Sequence, residues 1–304
     1  MANRVEAAVE VAGRALGAPA AAEPDLGRRL SRLAARQPLG VMGAIIVLAL
    51  VVTAILAPQL APHGAKDAAF APYLPPSAEF PMGTDHIGRD ILSRVIWGAR
   101  LSLYVGLLSV ALGITLGTLW GVVTAYFGGL ADGLSQRLVD VLMALPPIIL
   151  ALSLMAALGQ SVDNVVLALT VLLVPTAART VRSVVLSIRE TPFVEAARAA
   201  GCSHWRIIFL HVLPNTFATY IVLFTVNIAY AVVVEAALSF LGLGAPPDEP
   251  SWGGMLTAGV QSMESAPWTI FFPGIAISLT VFGLNLLGDA IRDLTDPRLR
   301  GGLG

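Results

Sequence analysis

Apolar residues in this chain fall in blocks long enough to cross a bilayer, separated by polar inserts of two kinds. A transmembrane helix needs roughly 20 apolar residues. The pattern predicts six, over residues 38–57, 102–125, 141–158, 164–184, 217–237 and 270–289. In lipid the backbone must hydrogen-bond within its own segment, so the spans are helices and the fold class is all-α, polytopic. The fourth span is the weakest by pattern, because Pro175 interrupts it and Arg179 lies near its end. Two inserts are long: 58–98, rich in proline and glycine, and 241–268, which contains APPDEPSWGGM. A third, 185–216, is polar and amphipathic. Residues 1–37 form a tail, 38–291 the membrane domain, and 292–304 a second tail.

Charge sets the direction of the spans. Cytoplasmic segments carry the excess of Lys and Arg. With the N-terminus inside, 15 basic residues fall on the inner side and 4 on the outer, namely Lys66, Arg89, Arg94 and Arg100. Both termini are therefore expected in the cytoplasm, and the acidic long inserts outside. Composition agrees: 13% of residues are charged and 56% hydrophobic, against about a quarter charged in soluble domains. A net charge of -1 gives no case for nucleic acid. Cys202 stands alone, so no disulfide forms within the chain. Residues 1–36 mix acids, alanines and arginines, unlike a cleaved signal peptide, and read as partly disordered or a short surface helix. No internal repeat is visible, which gives an inverted-repeat secondary transporter no support.

The inner insert is the richest in information. Residues 195–215 read EAARAAGCSHWRIIFLHVLPN. A helix through Glu195, Ala196, Ala197 and Ala200 meets Gly201, where a positive φ can end it. Ser203 can cap a second helix. Trp205, Ile208, Phe209 and Val212 are spaced as one apolar face, with Arg206 opposite and Pro214 stopping the element before the fifth span. Two short helices joined at a glycine make a compact knob, and small Ala196 and Ala197 let another backbone approach. A segment lying in the lipid headgroups fits the same pattern.

This insert resembles the EAA loop of ABC importer permeases: EAA, three residues, Gly, nine residues, Ile, one residue, Leu-Pro. Glu195, Ala196, Ala197, Gly201, Leu213 and Pro214 match at that spacing. His211 replaces the isoleucine, as is usual in the dipeptide, oligopeptide and nickel branch. Residues 82–103 (MGTDHIGRDILSRVIWGARLSL), 125–129 (AYFGG), 137–146, 235–244 (EAALSFLGLG), 250–256, 266–268 and 285–298 also resemble that branch, in one order, with the C-type subunit the better fit. The resemblance implies a type I ABC importer permease fold in a bacterial or archaeal inner membrane. It implies four kinds of contact: a second homologous permease, two ABC ATPase subunits, an extracytoplasmic substrate-binding protein, and lipid. It makes Glu195, Ala196, Ala197 and Gly201 coupling positions, with Arg206 and Pro214 on the same element. No GxxxxGK[ST] occurs in the chain, so ATP and Mg are expected on the partner ATPases, with no cofactor and no enzymatic role here. Dipeptides or oligopeptides are the expected substrates. Nickel or another small solute of the same branch is the alternative. A stand-alone channel or secondary transporter would place charge at mid-membrane, where this sequence has little.

The remaining polar and small residues read as follows. Gly113, Gly117 and Gly121 line one face of the second span and suit close helix packing. Glu235 lies near the outer end of the fifth span, where desolvation is modest, and is read as structural or lining the vestibule. Asn227 is nearer the middle, a candidate for the pathway wall or an interhelical hydrogen bond. Thr84, Asp85, Arg89 and Asp90 form a dense outer set. Asp–Arg pairing that fixes the loop is the first reading, a binding-protein contact the second. A metal site is set aside, since His86 and scattered acids give no repeated ligand spacing.

Overall fold

The computed structural model describes residues 37–295, and almost all of the two tails falls outside them. The chain is helical: α1 (Pro38–Ile55), α2 (Ala57–Leu60), α3 (Ile91–Phe127), α4 (Gly129–Ala144), α5 (Pro147–Leu158), α6 (Val162–Ile188), α7 (Pro192–Ala199), α8 (His204–Ile207), α9 (Phe217–Phe240), α10 (Trp252–Val260) and α11 (Trp268–Thr295). Between α8 and α9 the chain winds through a π turn, Ile208–Val212, and a 3-10 turn, Leu213–Thr216.

Five stretches are long and apolar enough to span a membrane: α1, α3, α6, the run His204–Phe240, and α11. A sixth forms if α4 and α5 count as one span broken by a 90° bend. The third predicted span is thus not a straight helix over 141–158. Leu145 and Pro146 take extended backbone, and a residue before proline is pushed out of the helical region. The second span also starts earlier than 102. Asp90 caps α3 by accepting from the Ser93 amide at 3.0 Å, so Arg94 and Arg100 lie on the helix and not in a loop. The outer insert 241–268 contains a helix the pattern did not give, α10. Ser251 caps it by accepting from the Gly254 amide at 3.1 Å, and Trp252 is fully buried. The last span runs on to Thr295, past the predicted start of the tail at 292.

The most extensive helix pairing among the described residues is α3 on α6. A Cβ on Gly113 would lie 2.6 Å from the Leu173 Cβ, one on Gly117 2.5 Å from the Val174 carbonyl oxygen, and one on Gly121 2.5 Å from the Ala178 carbonyl oxygen. The three glycines let the two backbones touch, and the partner they face is within the chain. Around this pair sits the main core, with Val105, Val110 and Ile114 of α3, Met155 of α5, Leu169 and Leu173 of α6, and Leu238 of α9. At the C-terminal end of α3 a second core joins Val122, Ala125 and Tyr126 to Val181 and Val185, and to Val194, Ile207, Ile208 and Val212 of the insert 185–216. α1 packs on α11 through Gly40 and Gly43 and turns its other side outward, with Leu39, Ile45, Leu48 and Ile55 exposed.

Candidate functional site

The knob follows α6 directly. Thr191 is extended and Pro192 opens α7 at a position where a missing N–H costs nothing. Gly201 has φ +78°; the Cys202 amide donates to the Ala197 carbonyl at 3.1 Å and the Gly201 amide to Arg198 at 3.0 Å. That is the glycine-terminated helix end expected from the sequence. Ser203 accepts from the Arg206 amide at 3.4 Å and starts α8. Glu195, Ala196, Gly201 and Arg206 are exposed, and Ala197 is half-buried against the inner core.

The second half of the knob departs from the expected face. Trp205 and Phe209 are 54% and 51% exposed and stack on each other, with centroids 6.1 Å apart. Ile207, Ile208 and Val212 are the buried residues. From Ile208 the chain winds as a π turn, whose wider ladder has the Leu213 amide donating to the Ile208 carbonyl. Pro214 does not stop the element either. It sits early in the 3-10 turn, and the chain continues into α9. The Asn215 side chain donates to the His211 carbonyl at 2.6 Å and helps to satisfy the disturbed ladder.

Fastenings tie this region to the bundle. The Arg189 guanidinium donates to the Ala125 carbonyl at 3.0 Å, at the end of α3. Arg182 makes a two-pronged pair with Asp132, 2.6 Å on each side, between α6 and α4. Arg179 pairs with Asp140. Tyr126 is hydrogen-bonded to His204 at 3.1 Å. Sequence reasoning did not assign Tyr126; its signal was the AYFGG match.

At the end of the bundle away from the knob the dense polar set is buried. Thr84 has 0% exposure, Asp90 1%, Arg89 7% and Asp85 8%. Asp85 accepts from the Arg89 side chain at 2.6 Å and from the Arg89 and Ile87 amides at 2.9 and 3.0 Å. The Thr84 hydroxyl donates to the Ala71 carbonyl and accepts from the Leu74 amide, both at 2.8 Å. Gly88, at φ +80°, leaves no room for a Cβ, which would fall 1.9 Å from the Phe70 carbonyl oxygen. These residues hold the loop, and they offer a docking partner almost no surface. Lys66 links the two outer inserts through Asp248 at 2.9 Å and Glu249 at 2.8 Å. Those acids raise the Lys66 pKa, and Lys66 in turn lowers that of Asp248.

Glu235 is 1% exposed, more desolvated than its place along the span suggested, and is held as a structural residue would be. Its two oxygens accept from the Ser102 and Ser239 hydroxyls at 3.2 and 2.9 Å, which joins α3 to α9. Among the described residues Asn227 makes no interhelical bond of the expected kind; its side-chain amide donates at 2.7 Å to the Leu223 carbonyl, on its own helix. A cavity of about 310 Å³ opens beside the knob, lined by Thr115, Thr118, Leu119, Thr216, Phe217 and Tyr220 among others.

Comparison with known proteins places this architecture. Residues 113–301 match the family model described as binding-protein-dependent transport system inner membrane component. Residues 28–76 match the N-terminal TM domain of oligopeptide transport permease C. The chain is 42% identical over 266 residues to a dipeptide transport system permease protein, DppC, of Alkalihalophilus pseudofirmus, covering 87% of this chain and 88% of that one. It is 41% identical to a putative peptide transport system permease protein of Brucella suis, over 91% and 95%. It is 40% identical to the glutathione transport system permease protein GsiD of Pectobacterium atrosepticum, over 87% and 89%. In fold it is similar to the MetNI methionine ABC transporter in an inward-facing conformation, with a TM-score of 0.55 at 20% identity, over 67% of this chain and 96% of that one. The chain belongs to the family of binding-protein-dependent transport system inner membrane components, as a multi-pass ABC importer permease of the dipeptide and oligopeptide branch.

Proposed function

We propose that this permease subunit imports dipeptides or oligopeptides, and that its α7–α8 knob is the surface through which partner ATPases drive it. One observation carries the reading: the knob is exposed where the motif places Glu195, Ala196, Gly201 and Arg206, yet its inner side is packed into the helix bundle through Val194, Ile207, Ile208 and Val212. A surface that moves with the bundle can transmit force to it. ATP and Mg act on the partner subunits, and this chain contributes no hydrolytic group. A second, homologous permease completes the pathway, two ATPases dock below, and a binding protein delivers solute above, with both termini of this chain in the cytoplasm. ATP-driven closure of the ATPases draws the knobs together and opens the pathway outward; hydrolysis resets it. The exposed Thr115 hydroxyl, hydrogen-bonded to Tyr220 at the cavity, is better placed than Asn227 to line the route, because it faces open space.

The test is ATPase activity of the reconstituted complex, with Glu195→Ala plus Gly201→Pro in this subunit. Binding protein and peptides stimulate the wild type. The assembled variant loses that stimulation if the knob couples; equal stimulation rejects the reading. Peptides against nickel and glutathione, each with the cognate binding protein, decide the substrate class.

A further inference from the structure

The knob is continuous in sequence with α6 and α9, so force applied to it reaches those helices directly. Neither is an uninterrupted rod. Pro175 lies inside α6, and α9 is reached through a π turn and a 3-10 turn. The helix best built to carry motion across the membrane is α3. It has 37 residues without a proline, about 55 Å at 1.5 Å per residue, against roughly 30 Å of hydrocarbon.

Both ends of α3 are clamped. Outside, Asp90 caps it, Arg94 donates to the Ala65 carbonyl at 2.9 Å, and the Trp252 indole donates to the Val95 carbonyl at 2.9 Å. Those contacts bind it to both outer inserts. Inside, α3 ends at Gly128, φ +68°, and its last turn meets a knob that is not its neighbour in sequence. The Tyr126 hydroxyl bonds to His204 Nδ1 at 3.1 Å. The Arg198 guanidinium stands 5.4 Å over the Tyr126 ring. Phe127 makes edge contacts with His204 and Trp205 at 5.8 and 5.9 Å. Tyr126 is thus held by α7 through Arg198 and by α8 through His204, one residue from each short helix. No other residue of α3 is hydrogen-bonded through its side chain to the knob among the bonds described.

We propose that Tyr126, with His204 and Arg198, is the joint through which α3 carries the state of the outer inserts to the coupling knob. Tyr126 is a positioning residue: it fixes the orientation of α7 and α8 on the end of α3 and touches neither substrate nor ATP. The proposal rests on the knob being the coupling element. It adds that communication from the binding-protein side runs along α3 in addition to the helices that flank the knob.

The experiment uses the full complex in proteoliposomes, with binding protein and peptide. Tyr126→Phe, His204→Phe and the double variant are compared with wild type. Each single change removes one hydrogen bond and keeps a ring in place. The readouts are the stimulation of ATPase activity by loaded binding protein and the peptide transported per ATP hydrolysed. Each single variant is expected to lose about two- to tenfold in stimulation, the range one hydrogen bond commands. The double variant is expected to be no worse than the poorer single, since the two residues act as one unit. Peptide per ATP falls in all three, which a merely looser fold would not produce in complexes recovered at wild-type yield. Should Tyr126→Phe fail to assemble, His204→Phe, at an exposed position, carries the test alone. Wild-type stimulation in the single variants overturns the joint, and so do losses that multiply in the double. The Glu195→Ala plus Gly201→Pro variant runs in parallel. If it loses stimulation while Tyr126→Phe keeps it, only the joint falls; if it keeps stimulation, the knob reading falls and the joint with it.

Discussion

Two polar inserts of this permease differ in what they do with their charges. The outer one turns them inward: Asp85, Arg89 and Asp90 are buried and bonded to their own loop. The inner one turns them outward: Glu195 and Arg206 are exposed on short helices whose apolar sides are buried. Buried pairs hold a shape, because leaving one partner uncompensated is costly. Exposed charges on a rigid support contribute little to stability and are free to meet another protein. A dense polar motif is therefore not by itself a docking surface; its burial decides.

The largest expected effect comes from breaking the outer pair. Arg89→Ala removes the 2.6 Å partner of the buried Asp85 carboxylate and leaves it two amides and Arg94 at 4.0 Å; it should cost about 3 kcal/mol, measured as a fall in the thermal unfolding midpoint of the purified complex. Glu195→Ala, on the inner knob, should stay within about 0.5 kcal/mol of wild type while ATPase stimulation is lost. Equal destabilisation by both would erase the contrast.

Next come the glycines. Gly121→Ala places a Cβ 2.5 Å from the Ala178 carbonyl oxygen and should cost about 1–3 kcal/mol by overpacking α3 against α6. Gly201→Ala meets nothing within 4 Å and carries only the backbone strain of φ +78°, about 1–2 kcal/mol. Thermal unfolding separates them, and Gly201→Ala should in addition impair stimulation.

The smallest effect is at the exposed Lys66 link. Its acids raise the lysine, so that contribution is present below the ordinary lysine range and lost as pH rises through the raised value. Asp248 is lowered, so its contribution is present above the ordinary aspartate range and lost as pH falls through the depressed value. The link between the outer inserts should hold across neutral pH and weaken at both extremes and in high salt. Hydrogen exchange of residues 245–251 checks this, with Lys66→Ala as the control that removes the dependence.

Much of the fold was legible because lipid allows few solutions. Apolar runs located the spans, and the glycine spacing on α3 anticipated close packing, though not that α6 was the partner. Gly201 and Ser203 gave the two-helix form of the knob. What was lost depended on tertiary detail. The bend at Pro146 follows a proline that sits inside an apolar run and leaves no mark on hydropathy. The α3 start was hidden because Arg94 and Arg100 read as loop charges until Asp90 is recognised as a cap. Neither the π turn nor the exposure of Trp205 and Phe209 has a periodic signature. Glu235 looked half-solvated from its position along α9, but Ser102 of α3 and Ser239 seal it. Tyr126 was invisible as a joint because its partners, Arg198 and His204, lie far along the chain, the second of them 78 residues away.

The measurement that tests the contrast most directly is site-directed cross-linking in the assembled complex, with Cys202→Ser as background. The background matters because Cys202 is the chain's own cysteine and lies in the knob. Glu195→Cys should cross-link to an ATPase subunit, while Thr84→Cys, at a buried position, should reach neither ATPase nor binding protein. A complex that assembles and hydrolyses ATP, yet gives no ATPase cross-link from position 195 with reagents of several lengths, would contradict the account.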